Sequence, residues 1–262
     1  MSADAPTPPT PTSPDSPDSP DSPDSPDSPD SPDQSTLSRP SSTSRPTEFV
    51  RLLRAQRVWD TELPDFAPAA APADPLPLFE QWFAEAVAAG QTEPHTMSLA
   101  TADAEGLPDV RTVMLHGADQ EGWHFASHAG SRKGRHLAAR PYAALGFYWP
   151  AQGRQIRVRG PVAVAPPEVA RADLQARSTG ALASALVGRQ SEVLDSYEEL
   201  ERASDAAWDR ARREPDASAP SWTVYVLDPD EVEFFQGDAR RRHVRLTYRR
   251  TDGTWRKELL WP

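Results

Sequence analysis

Hydrophobic and polar positions alternate with period two along residues 110–116, where Val110, Thr112, Met114 and His116 interleave with Arg111, Val113 and Leu115. With its β-branched content, this alternation predicts a strand with two differently solvated faces. Asp119 to Gly122 supplies turn chemistry and residues 123–126 resume an extended run. Residues 142–149, YAALGFYW, are apolar on both faces, as in a buried strand. In residues 154–164, Gln155, Arg157 and Arg159 alternate with Ile156 and Val158, and Gly160-Pro161 predicts a bulge or bend. Residues 97–101 read as a further strand.

Helical spacing governs other segments. Residues 49–59 pattern as a short amphipathic helix with a basic outer face, and residues 78–89 as a stronger one ended by Gly90. A Pro- and Ala-rich linker over residues 63–77 separates them. Residues 169–177, 181–187 and 192–213 are rich in Ala, Leu, Glu and Arg and predict three helices. Strands return at 222–227, 231–236, 244–249 and 255–260, with turns at Asp228-Pro229, Gly237-Asp238 and Asp252-Gly253. Hairpins flanking a helical insertion predict an α+β chain, mainly β: a barrel with helices packed outside.

Composition sets the first part of the chain apart. From Ser13 to Asp33 the triplet Ser-Pro-Asp repeats seven times, inside a Pro/Ser/Thr-rich segment that runs to Pro46. Each proline removes a donor and each aspartate repels the next, so no packed core can form there. Residues 1–48 are expected to be a disordered, acidic, solvating tail, residues 49–73 an N-terminal helix and linker, and residues 74–262 the folded domain. Asp4, the repeat aspartates and Glu48 against Arg39 and Arg45 give the first 48 residues −7, leaving −4 of the chain's −11 for the rest. A mildly acidic domain is a poor partner for nucleic acid. The absence of cysteine excludes disulfides and thiolate chemistry and fits a reducing compartment. No apolar run reaches membrane-spanning length and no signal peptide is visible, so a cytoplasmic protein is expected.

Candidate chemistry concentrates in residues 111–136, RTVMLHGADQEGWHFASHAGSRKGRH. Gly130 allows a change of direction, Ser131 is positioned as an N-cap, and Arg132, Lys133 and Arg135 follow in the first helical turn. Cations there oppose the helix dipole, which suits either a bound anion or a solvated basic helix, and the pattern alone leaves both open. No Walker loop, GxGxxG, HExxH, GxSxG or EF-hand pattern is present, and no metal site is expected.

Several short motifs recur in a known order: ADPLPLFEQWF at residues 73–83, RTVML at 111–115, GSRKG at 130–134, RQ at 154–155, RQSE at 189–192, EFFQG at 233–237, RRH at 241–243 with Arg245, and the ending ELLWP. In this order the chain from residue 74 onward resembles the pyridoxamine 5′-phosphate oxidase family, homodimeric FMN-binding split-barrel oxidases. The resemblance implies that Arg111, Arg132 and Lys133 surround the FMN phosphate, and that the backbone at Met114, Leu115 and Ser127 lines the flavin. It further implies that Gln155, Phe235 and Arg245 contact the flavin, with Phe235 standing where many members have tryptophan. Gln190 and Ser191 match a pair that the family supplies from the other subunit. Arg241 and His243 match the residues that sit over the bound substrate.

The substrate-phosphate positions match less well. Lys, Tyr, Arg and Ser of typical members stand here as His116, Asp173, Arg177 and Ala181, so only Arg177 is unchanged. A carboxylate in place of a tyrosine hydroxyl adds repulsion beside a phosphate. Flavin oxidases of phenazine biosynthesis, similar through HAGSRKGR and RQSE, also lack the lysine and tyrosine. The resemblance therefore implies an FMN-dependent oxidase passing hydride from substrate to FMN and on to oxygen. Pyridoxamine or pyridoxine 5′-phosphate is the default substrate, and a dihydro-phenazine-type metabolite precursor the alternative. A non-catalytic split-barrel binder of FMN, deazaflavin or haem is a second alternative.

Overall fold

The computed structural model describes residues 47–59 and 62–262, and the repeat expected as a disordered tail lies outside the described residues. Two compact units divide at residue 55. The first is described through helix α1 (Glu48–Ala55), which buries none of its residues. All else belongs to the second.

Helix α2 (Pro75–Ala88) starts before the expected residue 78 because Asp74 caps it, accepting from the Leu76 N–H at 2.9 Å, while Pro75 fixes the first turn. It buries Leu78, Phe79 and Trp82 against the sheet. Phe79 meets Trp123 and Phe147 edge to face with centroids 5.5 and 5.2 Å apart, and Trp82 meets Phe234 at 5.2 Å.

Ten antiparallel strands follow: β1 (Thr96–Ala102), β2 (Pro108–Met114), β3 (Gly117–Ala118), β4 (Trp123–His128), β5 (Tyr142–Trp149), β6 (Arg154–Val164), β7 (Trp222–Leu227), β8 (Glu231–Gln236), β9 (Val244–Thr251) and β10 (Thr254–Leu260). The main path runs β10-β9-β8-β6-β5-β1-β2, with β7 joining β6 to β4. Strand β6 changes partner along its length, pairing with β8 over residues 154–159 and with β7 over 162–164. The switch falls at the expected bend. A Cβ on Gly160 would lie 2.1 Å from the Asp228 carbonyl oxygen, so only glycine lets the two segments approach. The sheet curls over its aromatic core, giving the expected α+β, mainly β, architecture.

Helix α3 (Arg132–Ala139) follows β4, and α4 (Pro167–Gln175), α5 (Thr179–Val187) and α6 (Tyr197–Arg213) form the insertion. A separate small core of Leu174, Leu182, Ala183, Ala185, Ala207 and Ala211 holds the insertion together. Helix α6 begins at Tyr197, not at the expected residue 192. Ser196 accepts from the Glu199 N–H at 3.2 Å, and this cap ends the irregular stretch before it.

Arg154 is buried and stacked 4.2 Å over Trp82. It donates to Glu85 at 2.6 Å and Gln236 at 3.0 Å, tying α2 to β6 and β8. Among the described residues no helix is long and apolar enough to cross a membrane.

Candidate functional site

A cavity of about 790 Å³ lies between β2, β4, the start of α3 and α5, and its lining includes Arg111, Met114, His116, Ser127, Lys133 and Gln190. At one end Ser131 caps α3 as expected, accepting from the Gly134 N–H at 3.2 Å, and in this first turn Lys133 points inward while Arg132 and Arg135 stay exposed. Lys133 is buried there, donating to the Ser127 hydroxyl at 3.1 Å and the Gln190 amide oxygen at 3.0 Å. Both partners are neutral, and among the described residues no carboxylate lies within ion-pair distance of Lys133. Burial and the nearby Arg111 push its amine down, only partly opposed by Asp109. An uncompensated, half-desolvated cation with a hydroxyl and an amide beside it is a seat for an anion.

Arg111 is more committed. It donates to the Leu99 carbonyl at 3.0 Å and the Thr101 hydroxyl at 2.7 Å, and pairs with Asp109 at 2.7 Å. The Thr101 hydroxyl also lies 3.1 Å from His136 Nδ1, so the Arg111 side chain is held by β1 and α3 together. Arg132 is exposed, with its backbone N–H donating to Ser191 Oγ at 3.2 Å. Gln190 and Ser191 thus reach Lys133 and Arg132 within one chain; supply from another subunit, expected from the resemblance, is not required to bring them there. Met114 is exposed on the cavity wall. Leu115 donates its N–H to the His95 carbonyl and packs against the core.

The other end holds the residues expected to face substrate. Asp173 accepts from Arg177 Nε at 3.0 Å and Trp222 Nε1 at 2.8 Å, and lies 3.0 Å from His116 Nδ1. The Arg177 guanidinium stacks 4.6 Å over the Trp222 ring, and its Nη2 sits 2.8 Å from His116 Nε2. Burial acts to raise the Asp173 carboxyl, but the hydrogen bonds from His116, Arg177 and Trp222 override it and hold it well below the usual carboxylate range. Ala181 lines the cavity beside Arg177 and supplies no polar atom from its side chain.

The remaining expected residues form a second cluster. Gln155 pairs in register with Phe235, and Phe235 with Arg245. The Phe235 ring lies 5.2 Å from His243, and the Trp59 ring 5.1 Å from His243. His243 Nδ1 accepts from the Asp238 N–H at 3.1 Å, which places a neutral ring's proton on Nε2. Asp238 also accepts from the Arg240 N–H at 2.7 Å and the Arg242 N–H at 3.3 Å, shaping the loop that carries Arg241, whose φ is 64°. Arg245 is turned onto Glu233, with both contacts at 3.0 Å, and donates to the Trp261 carbonyl at 2.9 Å. From Gln155 to β2 the path crosses β5 and β1, about 14 Å along the sheet at about 4.8 Å per strand.

Sequence reasoning missed three residues. A Cβ on Gly134 would lie 2.2 Å from the Ala129 carbonyl oxygen, so Gly134 rather than Gly130 is the glycine the turn requires. Trp59 packs over Gly153 and Gly237, where added Cβ atoms would approach its ring at 3.2 and 2.9 Å. Asp109 became a candidate only once its pairing with Arg111 was visible; the Pro108-Asp109 step in the sequence marks only a strand start.

Comparisons with known proteins agree with the motifs. Residues 83–236 match the model of the pyridoxamine 5′-phosphate oxidase family, and residues 222–262 that of the pyridoxine 5′-phosphate oxidase C-terminal dimerisation region. The chain is 42% identical over 196 residues to a pyridoxine/pyridoxamine 5′-phosphate oxidase of Pseudomonas fluorescens, covering 74% of this chain and 91% of that protein. It is 41% identical over 196 residues to the protein of that name from Azotobacter vinelandii, with the same coverage. Among solved structures, PhzG from Burkholderia lata, in complex with tetrahydrophenazine-1-carboxylic acid, superposes with a TM-score of 0.71 at 29% identity, over 78% of this chain and 98% of that one. A pyridoxamine 5′-phosphate oxidase-related, FMN-binding protein from Nostoc punctiforme shares the fold, with a TM-score of 0.58 at 19% identity over 70% of this chain and 97% of that one.

Proposed function

The chain belongs to the pyridoxamine 5′-phosphate oxidase family, and on that premise we propose that it is an FMN-dependent oxidase whose Lys133 end seats the cofactor's phosphate. One observation carries the reading: Lys133 is buried with two neutral partners and no carboxylate among the described residues, as an amine waiting for an anion would be. Ser127 and Gln190 orient the amine, the Ser131 cap fixes the turn that presents it, and Arg111 and Arg132 add positive charge around it. The backbone at Met114 and Leu115 continues the wall along which a flat ring system would lie. When bound, FMN supplies the two-electron chemistry, accepting hydride from a C–N or ring C–H carbon of the substrate and passing electrons to oxygen.

Arg241 and His243 are the residues assigned to the substrate. Asp238 holds the loop, so His243 presents its Nε2–H and the exposed Arg241 supplies a positive charge. Both act by orienting the substrate, since a fixed donor and a cation together align the carbon that loses hydride. Gln155, Phe235 and Arg245 are assigned to the flavin ring, with Glu233 fixing the Arg245 fork.

The two clusters are separated along one chain's sheet, which supports a homodimer with FMN at the subunit interface. The match of residues 222–262 to a dimerisation region supports it too, as do the exposed apolar side chains of Val110, Met114, Tyr148, Leu259 and Trp261.

For the substrate, the relatives' names favour pyridoxine or pyridoxamine 5′-phosphate. The Asp173 cluster, together with the likeness to PhzG, favours a second reading, a related oxidase acting on a different substrate such as a reduced aromatic precursor. Steady-state turnover of pyridoxine 5′-phosphate by the purified protein separates them: undetectable turnover at full FMN occupancy eliminates the vitamin B6 reading. An absorption spectrum of the same sample tests the cofactor, because haem or deazaflavin bands, or no chromophore, would contradict FMN.

A further inference from the structure

The far end of the cavity contains Arg177 and His116, which by residue type alone would attract an anion. Their geometry says otherwise. Asp173 draws four contacts: His116 Nδ1 at 3.0 Å, Arg177 Nε at 3.0 Å, Arg177 Nη2 at 3.4 Å and Trp222 Nε1 at 2.8 Å. Arg177 Nη2 lies 2.9 Å from His116 Nδ1 and 2.8 Å from Nε2, so this edge of the guanidinium is turned against the imidazole and not toward the cavity. In the ion pair at 3.0 Å the Asp173 carboxylate and the Arg177 guanidinium cancel each other's charge. A phosphate dianion binding here would lie next to the Asp173 carboxylate and compete with it for His116 and for the Nε edge of Arg177. Nearby walls are contributed by Gly180, Ala181, Ala183 and Trp222, which offer apolar surface.

We propose that Asp173 makes this end of the cavity a charge-neutral subsite, selecting a substrate whose distal group is uncharged and largely apolar rather than a phosphate monoester. The inference rests on the oxidase reading above. Asp173 is in this sense a specificity determinant acting through Arg177 and His116: it withholds their donors. Removing its charge while keeping its shape should return them to an incoming anion.

The test uses FMN-loaded protein, with pyridoxine 5′-phosphate and unphosphorylated pyridoxine as probes and the shift of the flavin absorption band as readout. In the wild type the phosphate should improve binding by no more than about threefold, because the Asp173 carboxylate offsets the positive charge of Arg177 and repels an incoming anion. In Asp173→Asn the preference for the phosphorylated probe should rise at least tenfold over wild type, and adding Arg177→Met should abolish the gain. Phosphate-selective binding that appears only in Asp173→Asn supports the proposal even when wild type binds neither probe. A wild type that prefers the phosphorylated probe a hundredfold, or an Asp173→Asn protein with no gain in preference, overturns it. Asp173→Ser serves as the second variant if Asp173→Asn does not fold. Failure of the oxidase reading looks different, as loss of the flavin band before any probe is added.

Discussion

The two ends of the cavity present the same kind of side chain and treat it in opposite ways. Lys133 is buried with a hydroxyl and an amide for partners, and its charge is left for something the chain does not itself contain. Arg177 is equally well placed, but Asp173 and the Trp222 ring have already claimed it. Residue type alone would make either cation a seat for an anion. What separates Lys133 from Arg177 is whether a carboxylate lies within hydrogen-bond distance of the cation itself, because a buried charge stays available for ligand only where the protein has not neutralised it.

The largest effect is expected from changing the turn that delivers the unneutralised amine. Gly134→Ala puts a Cβ against the Ala129 carbonyl, so the turn must open; thermal or denaturant unfolding should show a loss of about 3 kcal/mol, with FMN binding lost alongside. Wild-type stability in this variant would mean that the α3 turn is not the constraint described.

Next comes the direct contrast between the ends. Lys133→Ala removes a charge-assisted bond of about 2–3 kcal/mol and should weaken FMN about 30- to 150-fold in a fluorescence titration, whereas Arg177→Ala should change it by about twofold or less. Equal losses in both variants would erase the distinction.

A smaller effect follows from pH. Because burial lowers the Lys133 pKa, its charge is lost at lower pH than that of an ordinary lysine, and FMN affinity should fall correspondingly early on the alkaline side. Lys133→Arg should extend the plateau upward. The linkage has a definite sign in the cofactor-free protein: the unfolded chain holds this proton more tightly, so stability rises with pH between the lowered folded value and the ordinary lysine value.

The smallest effect belongs to the neutralised end. The Asp173 carboxyl is depressed on folding, so its contribution is present above the ordinary aspartate range and is lost as pH falls below about 4 toward the folded value. Asp173→Asn should flatten the melting temperature's dependence on acid, and an unchanged acid profile would argue against the cluster.

Much of the frame was legible from local pattern. Strands β5, β6, β7 and β8 end where alternation and turn residues put them, and the Ser131 cap could be read because an N-cap is a property of adjacent residues. The start of α6 was not legible, since residues 192–196 contain acceptable helix formers and the Ser196 cap alone decides the boundary. The site was legible in residue type but not in charge state. Asp173 and Arg177 form an i,i+4 pair that the chain displays openly, but His116 and Trp222 lie 57 and 49 positions from Asp173 and join it only through the fold. Arg154 shows the same limit: it shares the buried face of β6 with Ile156 and Val158, and only packing reveals Trp82 and Glu85 as the partners that make burial tolerable.

The central claim is that the Lys133 end seats the FMN phosphate, and it is tested most directly by titrating cofactor-free protein with FMN and with riboflavin, which differ by that phosphate. Wild type should bind FMN at least about 30-fold more tightly than riboflavin, with the preference collapsing in Lys133→Met and surviving in Arg177→Met. Equal affinity for the two flavins in wild type, or a preference that Lys133→Met leaves intact, would contradict the account.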